Sequence, residues 1–177
     1  MTDASFSLPD LSAAFREAFR HHPSGVAVIS ADPGDGPVSL TVSSLISVSM
    51  SPPTVAFSLS SRSSTAAALR RAESMVIHFM RLENMHLAQL CATSGADRFG
   101  PGVNWARLPS GEPYYPEVRI WFLARPLHEL SVQGATLIVA ELTEGMVADS
   151  DPLPEDNSMV YLNRQWHGLR RLMETAG

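Results

Sequence analysis

Hydroxyls crowd one stretch of this 177-residue chain. Between positions 41 and 65 stand Thr41, Ser43, Ser44, Ser47, Ser49, Ser58, Ser60, Ser63, Ser64 and Thr65, and the one charged side chain there is Arg62. Small hydroxyls donate and accept, so a ledge of them can bond a flat polar ring without crowding it. Arginine, hydroxyls and the first amides of a helix together suit a phosphate. Those amides have no intrahelical acceptor, and the helix dipole adds positive charge. Ser63 or Ser64, ahead of Thr65 and Ala66-Ala67-Ala68-Leu69, reads as such a start, since Ser caps well and Ala favours helix. Phosphate-ligand binding is the chemistry this pattern offers. A solvated strand face and an ordinary cap are the plainer reading of the same serines.

Two strands must carry this stretch. Leu40, Val42, Ile46, Val48 and Met50 alternate with Thr41, Ser43, Ser47 and Ser49, and Ser44-Leu45 breaks the pattern. Val55, Phe57 and Leu59 alternate in the same way with Thr54, Ala56, Ser58 and Ser60. Period-2 alternation predicts half-buried strands over 40–50 and 54–60. Pro52-Pro53 marks the connection, because proline donates nothing to a ladder.

The remaining pattern predicts a helix over 11–22 capped by Asp10, a strand over 25–30 and a hairpin loop over 32–37. Next come a helix over 65–72, a short buried strand over 75–80 and a helix after Asn84 that ends at Ser94-Gly95. Residues 97–116 carry seven Gly and Pro and read as a long loop, a kind that is often functional. Strands follow over 118–130 and 135–148, split by a turn at Gln133-Gly134. Past an acidic loop over 149–157 come a short strand over 159–162 and a last helix over 164–173, capped by Asn163. Contiguous hairpins without strand–helix alternation favour antiparallel pairing and a closed barrel.

Composition narrows the class. The length favours one domain over 1–177. A net charge of −5 argues against general nucleic-acid binding. No apolar run is long enough to span a bilayer. The single Cys91 excludes an internal disulfide framework and fits a reducing, cytoplasmic setting. Leu90 and Ala92 beside it suggest a buried helical thiol. His21 and His22 are adjacent, so they diverge and make a poor metal pair. No metal site is expected.

Several landmarks together resemble the flavin reductase-like family. They are Phe15-Arg16 with Phe19 and Pro23-Ser24-Gly25-Val26, then Thr41-Val42-Ser43-Ser44 with Ser47, Ser49 and Pro52-Pro53. The hydroxyl cluster through Thr65, Asp97-Arg98-Phe99-Gly100, and Tyr161-Leu162-Asn163-Arg164 with Trp166-His167 complete the set. The resemblance implies a mainly β fold: a six-stranded antiparallel split β-barrel of Greek-key type with a few short peripheral helices. It implies a homodimer that binds FMN or FAD near the subunit interface. The segment matching Thr41, Val42, Ser43, Ser44 and Ser47 would lie along the flavin ring. The segment matching Ser58, Ser60, Arg62, Ser63, Ser64 and Thr65 would hold the phosphate, with Arg98 and Phe99 near the flavin. The activity implied is NAD(P)H:flavin oxidoreduction, in which reduced flavin passes to a monooxygenase partner. No side chain need act as acid or base.

The sequence departs from the family pattern at two places. Reductases of the family carry Gly-Asp-His at the turn where this chain has Gln133-Gly134-Ala135, and that histidine helps place the nicotinamide. Alanine neither donates a hydrogen bond nor carries charge. The candidates to stand in for it are Gln133, or Asn163, Arg164 or His167 supplied by a second copy of the chain. Ser39 replaces the glycine usual before the Thr-x-Ser-Ser motif. The alternative is therefore an FMN-binding redox or electron-carrier protein that does not use NAD(P)H. A haem-binding barrel is a third option, with His78 and His128 as axial candidates by elimination.

Overall fold

The computed structural model describes residues 10–147 and 157–169. The acidic loop over 149–156 and positions 170–173 of the expected last helix lie outside the described residues. The elements run α1 (Leu11–Arg20), β1 (Ser24–Gly25), β2 (Ala27–Ala31), β3 (Val38–Val42), β4 (Ile46–Met50) and β5 (Pro53–Ser60). Then come α2 (Ser64–Leu69), β6 (Met75–Phe79), a 3₁₀ turn (Leu82–Asn84) and α3 (Met85–Ala92). The chain continues through β7 (Ala106–Arg107), β8 (Pro113–Tyr114), β9 (Ile120–Val132), β10 (Ala135–Val147), β11 (Met159–Leu162) and β12 (Gln165–Gly168). The fold is mainly β and its pairing is antiparallel, as the sequence led one to expect.

The main sheet has seven strands in the order β3-β2-β6-β9-β10-β5-β4. The strand expected over 40–50 is two strands, β3 and β4, at opposite edges of that order. Laid flat, the edges would be six spacings apart, roughly 29 Å at about 4.8 Å each. Three residues, Ser43 to Leu45, join them and reach at most about 14 Å. The sheet must therefore roll until its edges meet. The break at Ser44-Leu45 in the alternation is where the chain crosses from one edge to the other.

The roll encloses one core around Ile29, Phe57, Leu69, Met75, Ile77 and Ile138. A second core of Val28, Leu87, Cys91, Tyr115 and Val118 lies on the other face of β2, under α3 and the 97–118 loop. All five residues of β2 are buried because alternate side chains enter the two cores. Each fully buried aliphatic or aromatic side chain contributes about 1.5–3 kcal/mol.

Two local expectations change. Asn163 and Arg164 do not open a helix. Both have positive φ, 50° and 61°, and form the turn between β11 and β12. Asparagine tolerates that region, so it serves a tight hairpin as readily as a cap. Asn84 stands at the N-cap of α3 but makes no side-chain cap bond, and its amide donates to the Glu117 carbonyl at 3.4 Å.

Candidate functional site

The site forms at the seam of the rolled sheet. Ser44 closes the seam: its Oγ donates to the Ser58 carbonyl at 3.2 Å and accepts from the Ser58 amide at 3.0 Å. A side chain thus takes the place of a ladder partner just ahead of the start of β4. Beside this bridge lies an open cleft of about 770 Å³, within the range of small-molecule sites. Thr41, Val42, Ser43 and Ser44 form one wall. Ser58 and Ser60 form a second, and Arg62, Ser63, Ser64 and Thr65 close one end, with Arg98 facing them.

Two predicted residues lie elsewhere. Ser47 is exposed on β4, past the crossing. Phe99 packs inward, stacked on Tyr115 at 5.6 Å and edge-on to Trp105 at 5.2 Å. The cleft also takes in Cys91, Ala92, Ser94, Gly95, Gly134 and Ala135. Ser94-Gly95 had signalled only a helix end, though small residues there also leave room for a ligand. Gly134 and Ala135 come in because the β9–β10 turn folds beside Ser60, with the Ser61 amide donating to the Gly134 carbonyl at 3.1 Å.

Charge is one-sided here. Arg62 and Arg98 are the charged side chains lining the cleft, and no carboxylate is among its described lining residues. That is notable in a chain of net charge −5. Ser63 caps α2, its Oγ accepting from the Ala66 amide at 3.2 Å. The Ser64 and Thr65 amides precede the first intrahelical bond. Arg98 donates to Thr65 Oγ1 at 3.3 Å and to the Thr93 carbonyl at 2.7 Å. Its Nε is buried and without a partner. An unsatisfied buried donor costs about 1–3 kcal/mol, which an anionic oxygen would offset. The residues present therefore fit a phosphate-bearing ring ligand such as FMN.

Across the Ser44–Ser58 bridge lies a second cleft of about 790 Å³ that includes Arg16, Phe19, Arg20, Tyr161, Asn163 and Arg164. Of the proposed stand-ins for the missing histidine, Asn163 and Arg164 line it, whereas Gln133 and His167 do not.

The haem alternative loses its candidates. His78 is fully buried. Its Nδ1 lies 3.1 Å from the Val28 carbonyl, and its Nε2 accepts from the Tyr115 amide at 3.1 Å. A carbonyl only accepts and an amide N–H only donates, so the ring is neutral with its proton on Nδ1. Burial lowers its pKa to about 4. Neither nitrogen is left for a metal. His128 is exposed on β9, away from the cleft.

Comparison with known proteins agrees with this geometry. An NADH:FMN oxidoreductase of Rhodococcus qingshengii is 37% identical over 148 residues, which cover 81% of this chain and 77% of that protein. The reductase component of a 4-nitrophenol 4-monooxygenase/4-nitrocatechol 2-monooxygenase from Rhodococcus opacus is 29% identical over 141 residues, covering 80% and 75%. The crystal structure of a flavin reductase domain protein from Arthrobacter sp. FB24 superposes with a TM-score of 0.84 at 26% identity, covering 94% of this chain and all of that one. Residues 19–170 match the Flavin reductase like domain. With a sheet rolled shut at Ser44 and an arginine-lined cleft at the seam, the chain belongs to the flavin reductase-like family.

Proposed function

We propose that the protein is an NAD(P)H:flavin oxidoreductase whose flavin, FMN in the first instance, binds in the cleft at the Ser44–Ser58 seam. One observation carries the reading: two arginines and a helix start converge on a hydroxyl-lined cleft whose described lining has no carboxylate. Arg62, Ser64, Thr65 and Arg98 would hold the phosphate. Thr41, Ser43 and Ser44 would bond the polar edge of the ring, and Val42 would pack against its face. When bound, the flavin supplies the chemistry by accepting hydride from the nicotinamide. The chain's residues bind and orient, and none is assigned as acid or base.

A homodimer is part of the proposal. Helix α1 buries none of its residues, and Leu11 (82% exposed), Phe15 and Phe19 share one face. Ile46, Val48 and Met50 (93% exposed) add an apolar edge on β4. Exposed apolar area of this extent supports a subunit contact, and a second copy would cover it beside both clefts. Likeness to the monooxygenase reductase component supports delivery of reduced flavin to a monooxygenase partner. Among the described residues no helix is long and apolar enough to cross a membrane, and the cytoplasm is the proposed setting.

The test is steady-state oxidation of NADH and NADPH with FMN, FAD and riboflavin. Flavin-dependent turnover well above the uncatalysed rate is expected. Tight flavin binding without nicotinamide oxidation would favour the electron-carrier reading, which the presence of Ala135 in the cleft motivates.

A further inference from the structure

Against the cleft, Ser39, Tyr115 and the Arg98 backbone form a line, with the cleft residue Cys91 beside it. Ser39 on β3 is fully buried, one position before the cleft residue Leu40. Its Oγ lies 2.8 Å from Tyr115 Oη and 3.3 Å from Cys91 Sγ. Tyr115 Oη donates to the Arg98 backbone carbonyl at 3.1 Å. The donor inventory orders the line. A carbonyl only accepts, so the single phenol proton goes to Arg98. The Ser39–Tyr115 bond then needs the Ser39 proton. Cys91 Sγ also lies 3.5 Å from Tyr115 Oη, so its one thiol proton goes to either oxygen. Two directions are fixed: Ser39 to Tyr115, and Tyr115 to Arg98. Burial raises both the Cys91 thiol and the Tyr115 phenol above their ordinary values, so the protons the order requires stay in place.

The tyrosine ring makes a second hold. Phe99 stacks on it at an interplanar angle of 14°. The Tyr115 backbone is itself fixed by its amide bond to His78. Arg98 is thus anchored at its carbonyl and, through Phe99, at the next residue, while its guanidinium reaches the cleft.

Resting on the phosphate reading above, we propose that Tyr115 is a positioning residue that sets where the Arg98 guanidinium meets the flavin phosphate. Ser39, which stands where the family's glycine would leave no hydroxyl, fixes the direction of the Tyr115 O–H. The role passes through Arg98 alone, so it concerns the phosphate and not the ring.

Fluorescence titration with FMN and with riboflavin tests this on the wild type, Tyr115→Phe, Ser39→Ala, Arg98→Ala and the Tyr115→Phe/Arg98→Ala double variant. Tyr115→Phe keeps the stacked ring and removes only the hydroxyl. It is expected to raise the FMN Kd about fivefold and to change riboflavin by less than about twofold. Ser39→Ala acts in the same direction, about two- to threefold, and carries the test if Tyr115→Phe does not fold. In the Arg98→Ala background the tyrosine substitution adds nothing, because the two act as one unit. Equal losses for both ligands, an unchanged FMN Kd, or additivity in the double variant would overturn the proposal. A wild type that binds FMN no tighter than riboflavin would sink the phosphate reading and this proposal together. A discriminating wild type with an indifferent Tyr115→Phe would sink the positioning role alone.

Discussion

Ser44, in the crossing from β3 to β4, is tied to Ser58 of β5 through one side chain that both donates to and accepts from the same backbone residue. The bridge separates the cleft at the start of α2 from the cleft holding Asn163 and Arg164, since both include Ser44 and Ser58. Anything that reaches from one cleft to the other must pass over it. At the seam a side chain stands in for backbone ladder bonds.

Removing the bridge should loosen both fold and site. Ser44→Ala is expected to lower stability by about 1–2 kcal/mol, because it removes two hydrogen bonds of ordinary net worth. FMN and riboflavin should weaken by similar factors, because the loss falls on the ring segment. Urea unfolding and flavin titration read the two effects. A loss confined to FMN would place the phosphate, and not the ring, at Ser44.

Charge at the helix start should discriminate between flavins. Ser64→Asp puts a carboxylate where the phosphate is proposed to sit. It is expected to weaken FMN by at least about tenfold and riboflavin much less. An acidic residue in the first turn of α2 favours the helix dipole, so thermal stability should not fall. Comparable losses for both ligands would argue against a phosphate at this end of the cleft.

Ala135 opens β10 and lines the cleft beside Ser60, and the resemblance matches it to the family's histidine. Ala135→His should raise kcat/KM for NADH with FMN as acceptor and leave the FMN Kd nearly unchanged. Stopped-flow reduction by NADH is the direct assay. If the rate is unmoved, the turn takes no part in nicotinamide placement.

Acid should destabilise the fold through His78. Its folded pKa of about 4 lies below the ordinary histidine value of about 6.5. The unfolded chain therefore binds the proton first, and stability present above about pH 6.5 is lost as pH falls towards 4. The loss should reach about 2 kcal/mol by pH 5. Asp32, held down chiefly by its hydrogen bond to Arg107, acts only at lower pH. Urea midpoints at pH 7.5 and pH 5 check the sign, and a midpoint that rises on acidification would refute it.

The β11–β12 turn holds an avoidable cost. Arg164 sits at φ 61°, where glycine is free of the Cβ penalty. Arg164→Gly should raise stability by roughly 0.5–1 kcal/mol. Differential scanning calorimetry would show the higher Tm. An unchanged or lower value would mean that the Arg164 side chain contributes contacts of equal worth.

Much of this was legible from local pattern. Val55, Phe57 and Leu59 alternate and are buried on β5, although Thr54 and Ala56 on the other face are buried too, and a serine ahead of an alanine run became the cap of α2. Arg62 and Ser64 reached the cleft because a cap and its first turn are specified by neighbouring residues. The failures have tertiary causes. The 40–50 stretch alternates like one strand, and only closure of the sheet demands that it cross at Ser44. Asn163-Arg164 lacks the glycine that signals a tight hairpin, so the cap propensity of asparagine prevailed. Phe99 sat in the right motif but points inward, because its partner Tyr115 comes from a loop sixteen residues on. The Ser39–Tyr115 bond spans 76 residues and leaves no local trace.

A crystal of the protein soaked with FMN addresses the central claim most directly. The phosphate is expected between Arg62 and Arg98 at the first turn of α2, with the ring along Thr41 to Ser44. Density for FMN at any other place, or a phosphate pointing away from both arginines, would contradict the account.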